Sequence, residues 1–145
     1  MKYLFNLLFL SLLMTSSAFS ADLTSATGDW LTIDDKTGKP ASVIRITQVG
    51  NELKGSILKI MDPAMQNAVC DKCNGVNKNK PIIGLTVMWG LKKAGNGWAG
   101  GTIMDPDNGK SYRAKMALIK DGKKLSVRGF IGFSLFGRSQ TWIRQ

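Results

Sequence analysis

Two cysteines are the most reactive side chains in this sequence, and they form the motif Cys70-Asp71-Lys72-Cys73. A Cys-x-x-Cys pair can form a disulfide, exchange electrons with other thiols, or supply two ligands to a zinc ion. Redox pairs of the thioredoxin type stand at the start of a helix inside a βαβ unit, and no such pattern surrounds Cys70 and Cys73. A structural zinc ion needs four ligands, so these cysteines alone could complete a site only if two chains shared it.

The sequence contains no histidine. This excludes Ser-His-Asp and Cys-His nucleophile pairs, His-ligated zinc and imidazole acid-base chemistry. Two carboxylate pairs remain, Asp34 with Asp35 and Asp105 with Asp107, but both stand among turn-forming residues. The second pair lacks the downstream glutamate of a calcium loop. We therefore predict no catalytic residue, no metal site and no cofactor.

Apolar side chains are the other candidates for a functional role. Residues 129–137 contain three phenylalanines and place apolar side chains on both faces of a predicted strand. One face can pack in a core, and the other must meet a second layer, line an apolar pocket or contact a membrane. Methionine and aromatic side chains adapt to irregular apolar ligands, although such residues also form ordinary cores. The residues we predict to contact a ligand are Met88, Trp89, Met116, Phe130 and Phe133.

The N-terminus predicts export. Met1-Lys2 precede an apolar run over residues 4–14, and small residues follow up to Ala21. This is the pattern of a secretory signal peptide, and the run is too short to span a bilayer. We predict a signal peptide at residues 1–20, a single domain at residues 21–145, and a periplasmic or secreted location. In such a compartment Cys70 and Cys73 are predicted to form a disulfide, with a redox role as the alternative.

The chain is strongly basic, with 20 Lys and Arg residues against 10 Asp and Glu and a net charge of +10 at pH 7. This charge favours anionic partners such as lipid headgroups or cell-envelope polymers. The basic residues are dispersed along the chain and lack a stripe of interleaved aromatics, and export separates the protein from nucleic acid, so we predict no nucleic-acid binding. No segment after the N-terminus is apolar for long enough to predict a transmembrane span.

Short β-rich runs separated by turn residues predict an all-β fold. Tight-turn dipeptides such as Gly50-Asn51 and Asn108-Gly109 separate many of the runs. Regular short strands with hairpin turns indicate an antiparallel sandwich or barrel. The eight predicted strands cover residues 29–34, 42–49, 52–61, 83–91, 97–104, 110–119, 124–135 and 139–144.

Alternation within these runs predicts which side chains face the interior. From residue 83 onward, Leu85, Val87, Trp89 and Leu91 are predicted to share one face. The long interruption at residues 62–81 is predicted to contain a short helix that Asp62 and Pro63 cap and start and that runs through residues 65–69. A polar loop with both cysteines is predicted to follow it.

The two ends of the β-rich region resemble those of lipocalins and related barrels. Gly28-Asp29-Trp30 opens the first strand, and Trp142-Ile143-Arg144 closes the last. In lipocalins an arginine from the last strand covers the tryptophan of a Gly-x-Trp motif at the closed end, and a planar cation stacks well on an indole ring. The resemblance implies that Gly28, Trp30, Trp142 and Arg144 are structural.

Further motifs resemble a bacterial exported family known as domain of unknown function 2147, which is similar in fold to lipocalins. The resemblance runs in order along nearly the whole mature chain and implies a single antiparallel eight-stranded lipocalin-like barrel with a short helix or loop insertion carrying the Cys-x-x-Cys motif. It implies no reaction. The motifs are Gly28-Asp29-Trp30-Leu31-Thr32, Val69-Cys70-Asp71-Lys72-Cys73-Asn74-Gly75, Pro81-Ile82-Ile83-Gly84-Leu85, Trp89-Gly90-Leu91, Trp98-Ala99-Gly100-Gly101-Thr102-Ile103, Asp105-Pro106 and Gly137-Arg138-Ser139-Gln140-Thr141-Trp142.

These observations predict an exported, non-catalytic binding protein that holds a small apolar or amphipathic molecule in a barrel cavity. An eight-stranded barrel can enclose one small ligand or fill its interior with side chains. The alternative is therefore a filled barrel whose basic surface binds an anionic envelope component or a partner protein. A redox role for Cys70 and Cys73 is the third hypothesis.

Overall fold

The computed structural model describes residues 20–133 and 135–145. The predicted signal peptide, residues 1–20, lies outside the described residues except for Ser20. Each strand pairs antiparallel with the next, and the last pairs with the first, so the sheet closes into a barrel. The strands are β1 (Gly28–Ile33), β2 (Pro40–Val49), β3 (Glu52–Ile60), β4 (Thr86–Ala94), β5 (Gly97–Asp105), β6 (Lys110–Ile119), β7 (Lys124–Phe130) and β8 (Gly137–Arg144).

The predicted fold class is confirmed, because every predicted strand corresponds to one strand of the closed barrel. Most boundaries agree within two residues, since turn residues mark both ends of most strands. Three boundaries differ more. β4 begins at Thr86 instead of residue 83 and ends at Ala94 instead of residue 91, and β7 ends at Phe130 instead of residue 135. In the described part of the chain, no helix combines the length and apolar character that crossing a bilayer requires.

Side chains fill one half of the barrel. This half contains the start of β1, the β2–β3, β4–β5 and β6–β7 turns and the chain end, and we call it the closed end. Alternate residues of the strands point inward there, as a barrel requires. Its buried side chains include Trp30, Ile46, Leu53, Leu91 and Leu125. The four remaining connections, β1–β2, β3–β4, β5–β6 and β7–β8, lie at the opposite, open end.

The predicted insertion between β3 and β4 is present, but its first helical turn ends at Met65 and does not run on to residue 69. The β3–β4 connection contains only two single-turn 3₁₀ segments, at Pro63–Met65 and Gly75–Asn77. Asp62 does cap the first of these, because its Oδ1 accepts a hydrogen bond of 2.9 Å from the Ala64 amide. The chain then folds back on itself through a bridge between Val69 and Pro81. This bridge occupies the backbone groups, such as the Ala68 carbonyl, that a continuing helix would have used.

The predicted face of β4 is also partly wrong. Val87 and Leu91 are buried as expected, but Trp89 is 37% exposed on the outer side, and Met88 is fully buried. The reason lies in the pairing of β3 with β4, whose register shifts twice between Leu53 and Ser56. An irregularity of this kind inserts an extra residue and reverses the facing of those that follow.

Candidate ligand-binding cavity

The closed end is sealed by the first and last strands. Gly28 has a φ of 122°, which an L side chain rarely adopts, and this conformation leads the chain from the N-terminal segment into β1. The Trp30 ring is fully buried, and its Nε1 donates a hydrogen bond of 2.9 Å to the Ala26 carbonyl. The Arg144 guanidinium carbon lies 4.3 Å from the centre of the Trp30 ring. The arrangement implied by the resemblance is therefore present.

Arg144 also ties the N-terminal segment and the β6–β7 turn to the barrel. Its guanidinium donates to three carbonyl oxygens, at 2.7 Å to Ser25, 3.2 Å to Thr27 and 2.8 Å to Gly122. Partial burial lowers the pKa of Arg144, and the charge of Asp22 opposes this shift. The side chain remains a cation because an arginine pKa lies far above neutrality. Trp30 and Arg144 are fully engaged in closing the barrel.

The open half of the barrel contains a cavity of about 990 Å³. All eight strands contribute residues to its walls, from the halves that adjoin the open-end loops. The cavity has the volume of a small-molecule site and opens between the four loops of the open end. The apolar residues of the wall include Ile44, Ile57, Val87, Ile103, Val127 and Trp142.

Few polar groups reach the interior of the cavity. Thr32 is buried, and its hydroxyl lies 2.7 Å from the Ser42 hydroxyl, with which it shares a hydrogen bond. The Gln140 Oε1 accepts a hydrogen bond of 3.0 Å from the indole nitrogen of Trp142. No described, buried side-chain nitrogen or oxygen lacks a hydrogen-bond partner. The polar side chains Thr32, Ser42 and Gln140 thus bond to protein groups, and the apolar wall residues are suited to an apolar group of a ligand.

The rim of the cavity is acidic, although the whole chain is basic. Among the described residues that border the cavity there are five aspartates and two basic residues, Lys36 and Arg138. Arg138 pairs with one of the aspartates, Asp35, at 3.3 Å. The aspartates are Asp34, Asp35, Asp62, Asp105 and Asp107.

Most of these aspartates stabilise the turns in which they lie, by accepting hydrogen bonds from backbone amides. Asp34 accepts hydrogen bonds from the backbone amides of Lys36 and Thr37, and these bonds, the Thr37 bond foremost, lower its pKa. Asp105 holds the β5–β6 turn in the same way, through the amide of Asp107. The rim therefore carries negative charge at neutral pH, and a ligand whose polar end reaches it is favoured when that end is neutral or cationic.

The structure brings only one of the predicted ligand contacts to the cavity. Phe130, at the end of β7, lies in its wall. Met88 and Met116 are buried but lie outside the cavity lining, and Trp89 faces outward on β4. Phe133 is exposed in the β7–β8 loop and does not line the cavity either.

Sequence reasoning missed the main wall residues. Val87, Ile57 and Val127 carry no unusual chemistry, and Trp142 was assigned to structure alone. Their common property is an inward position on the half of each strand that adjoins the open-end loops. A search for inward-facing residues close in sequence to the open-end loops would have identified these wall residues.

The Cys-x-x-Cys motif lies beside the open end, in the β3–β4 connection. Cys70 and Cys73 form the predicted disulfide, and both are buried. The Cys73 sulfur lies 3.7 Å from the sulfur of Met104, a cavity-lining residue. Burial restricts the access that thiol exchange requires, which argues for a structural role. Among residues 20–133 and 135–145, no group of three or more Cys, Asp or Glu side chains is placed to hold a metal ion.

Comparison with known proteins agrees with this architecture. Residues 28–144 match a family described as an uncharacterized protein conserved in bacteria, DUF2147. The chain is similar to the solved structure of protein HP1028 from Helicobacter pylori, described as belonging to the lipocalin family, with a TM-score of 0.73 and 18% identity over 87% of this chain and 84% of that one. At this identity the similarity establishes the fold alone. No curated protein matches the chain.

Proposed function

The chain belongs to the bacterial DUF2147 family, and we propose that it is an exported, non-catalytic protein that binds a small apolar or amphipathic molecule in the open half of its barrel. The apolar part of the ligand packs against the wall around Val87, Val127 and Trp142. The polar end of an amphipathic ligand lies at the aspartate-rich rim. The export step is the one predicted from residues 1–20, with function in the periplasm or outside the cell.

The observation that carries this proposal is the division of the barrel into a filled half and an open half. Large apolar side chains, Trp30 and Leu125 among them, fill the closed end, yet a cavity of about 990 Å³ remains above them. The large side chains of its wall, such as Phe130 and Trp142, line this space without filling it, and Val87, Ile57 and Val127 lie between them. This favours ligand binding over the alternative of a filled barrel acting only through its surface.

A neutral fluorescent probe tests the proposal. N-phenyl-1-naphthylamine emits more strongly in apolar surroundings, and we expect the protein to bind it in a saturable manner. The affinity should persist up to about 1 M salt, because burial of apolar surface is not screened as surface charge is. Binding should also quench or shift the emission of Trp142, which lies in the cavity wall.

Two matched variants locate the binding. Val87→Phe places a ring in the cavity and should weaken probe binding at least about tenfold, because the ring occupies the ligand's space. Val49→Phe makes the same change on an exposed residue near the β2–β3 turn and should leave binding unchanged. Equal binding by both variants, or binding that disappears in high salt, would overturn the proposal.

A further inference from the structure

The β7–β8 connection, residues 131–136, exposes an unusual amount of apolar surface. Ile131 is 67% exposed, Phe133 80%, Leu135 81% and Phe136 67%. Isolated apolar residues on a surface need no special cause, but several large ones on one short loop mark an interaction site. The sequence allowed the apolar side chains of residues 129–137 to pack in the core, line a pocket or contact a membrane. Their exposure excludes ordinary core packing for these four side chains.

Backbone hydrogen bonds give the described residues of this loop, 131–133 and 135–136, a compact shape that leaves their apolar side chains exposed. The Ile131 amide donates to the Phe136 carbonyl at 3.1 Å, and the Phe136 amide donates to the Phe133 carbonyl at 3.0 Å. The strands beneath the loop pair up to Phe130 and Gly137. The apolar side chains are therefore presented on a folded loop at the tip of a hairpin.

Basic side chains surround the base of the loop. Arg113 on β6 donates to the Gly132 carbonyl at 3.3 Å, and Arg128 on β7 donates to the Leu135 carbonyl at 3.3 Å. Lys115 on β6 lies directly across the strand pair from Arg128, and its ammonium is 6.0 Å from the Phe130 ring. Three cations thus lie directly beneath four exposed apolar side chains.

The charge around the loop is strongly one-sided. Residues 110–145, which form β6, β7 and β8 and the loops between them, contain nine Lys and Arg residues and a single acidic residue, Asp121. Four of the basic residues lie at the closed end, namely Lys120, Lys123, Lys124 and Arg144, and Arg138 is paired with Asp35 on the rim. Asp121 lies in the β6–β7 turn at the closed end, far from the β7–β8 loop. The rim aspartates belong to β1–β2, β3–β4 and β5–β6. The β7–β8 side of the open end is therefore apolar at its tip and cationic below.

We propose that the β7–β8 loop docks the protein on a lipid bilayer that carries anionic phospholipids. The side chains of Ile131, Phe133, Leu135 and Phe136 enter the interfacial region of the bilayer. Arg113, Lys115 and Arg128 remain at the level of the phosphate groups. Apolar insertion beside a basic patch is the combination that gives reversible binding to anionic membranes.

Docking in this orientation also brings the cavity mouth to the membrane. Ile131 and Phe136 border the cavity as well as the exposed loop. An apolar or amphipathic ligand could then pass between bilayer and barrel with little exposure to water. The docking itself does not depend on the cavity, so it goes beyond the proposed function and can be tested separately.

Co-sedimentation with vesicles tests the proposal. The mature protein should bind vesicles containing phosphatidylglycerol at least about tenfold more strongly than vesicles of phosphatidylcholine alone, and added salt should reduce the difference. Phe133→Ser/Leu135→Ser should weaken binding to the anionic vesicles at least about tenfold. Arg113→Gln/Lys115→Gln should remove most of the preference for phosphatidylglycerol.

Three control variants test whether vesicle binding depends on this surface in particular. Val76→Ser removes an apolar side chain that is 82% exposed in the β3–β4 connection and should bind as the parent does. Lys120→Gln/Lys123→Gln removes two charges at the closed end and should retain the preference for anionic vesicles. Val87→Phe, which obstructs the cavity, should also retain it.

The outcomes decide between docking and its competitors. Vesicle binding that is unaffected by the loop variant, or lost equally in the closed-end variant, contradicts the proposal. If the loop mediates self-association instead, the protein should not bind vesicles and should run as a dimer on size-exclusion chromatography. Phe133→Ser/Leu135→Ser should then convert this dimer to a monomer. If the protein binds vesicles normally but does not bind N-phenyl-1-naphthylamine, the proposed cavity function is contradicted and membrane docking is still supported.

Discussion

Trp30 in the first strand and Arg144 in the last strand hold the barrel closed. β1 and β8 share only two residue pairs, Trp30 with Arg144 and Leu31 with Ile143. This is the shortest pairing in the barrel, so side-chain contacts must supplement it. Arg144 supplies them through its stack on Trp30 and its three hydrogen bonds to carbonyl oxygens. A planar guanidinium can do both at once, whereas a lysine ammonium cannot.

Replacing Arg144 by lysine should therefore destabilise the barrel while conserving charge. We expect Arg144→Lys to lower the free energy of unfolding by about 2–3 kcal/mol, because it leaves carbonyl groups without donors and removes the stack. Chemical denaturation measures the loss. Arg45→Lys is the matched control, because Arg45 forms an exposed pair with Asp29 and should matter far less. Equal losses in the two variants would contradict the assignment.

Residue types located the pair that closes the barrel, whereas four of the five predicted ligand contacts lie outside the cavity. Trp30 and Arg144 stand in a motif with a specific geometric purpose, and the structure places them as the motif implies. The side chains of Met88, Met116 and Trp89 suit an apolar ligand, but residue type does not show whether a side chain reaches the cavity. Alternation gives the face of a strand but not the height of a residue along the barrel, and a register shift moved Trp89 to the outside.

At the level of elements, the loops of the open end support one another. The disulfide loop of the β3–β4 connection packs on the β5–β6 turn at Gly109. That glycine has a φ of 72°, and a Cβ atom there would overlap the Lys72 carbonyl. The contact fixes both loops at the rim of the cavity. The disulfide closes too small a ring to stabilise the whole fold, so its effect is to stiffen this rim.

A pair of glycine substitutions separates this packing from backbone strain. Gly38 in the β1–β2 turn has a φ of 69°, and a Cβ there would meet nothing within 4 Å. Gly38→Ala should therefore cost only the conformational strain, about 1–2 kcal/mol. Gly109→Ala should cost about 1–3 kcal/mol more, because the loop must also move.

Thermal denaturation and hydrogen exchange together measure these effects. In Gly109→Ala, the amides of residues 70–80 and 105–109 should lose protection, whereas Gly38→Ala should leave them unchanged. Similar stability and similar exchange in the two variants would show that the contact between the loops contributes nothing.

Turn residues and alternation made the eight strands predictable, and the open-end loops were harder for a physical reason. In residues 131–136 the apolar pattern of β7 continues, so the sequence suggests a longer strand. The chain instead turns after Phe130 and pairs Ile131 with Phe136. Local pattern cannot distinguish an apolar strand from an apolar loop that serves an external surface. The β3–β4 connection similarly depends on a non-local bridge between Val69 and Pro81.

At the scale of the whole molecule, the barrel is filled at one end and hollow at the other. The sequence predicted the barrel and left the hollow and filled interiors as alternatives; the structure combines them. Acidic and basic residues are also distributed unevenly over the barrel. The rim carries five of the chain's ten acidic residues, and the β6–β8 wall is almost purely basic. Composition revealed the net charge of +10 but not this separation, because it arises from the order of the strands around the barrel.

Native mass spectrometry of the protein, purified gently from a periplasmic extract of cells that express the whole chain, tests the central claim most directly. We predict an additional, reproducible mass on the native protein that disappears on denaturation and is absent from Val87→Phe. The denatured mass should show cleavage near residue 20 and the loss of two hydrogens at Cys70 and Cys73. A native mass equal to the bare chain, unchanged after incubation with a lipid extract, would contradict a ligand-binding barrel.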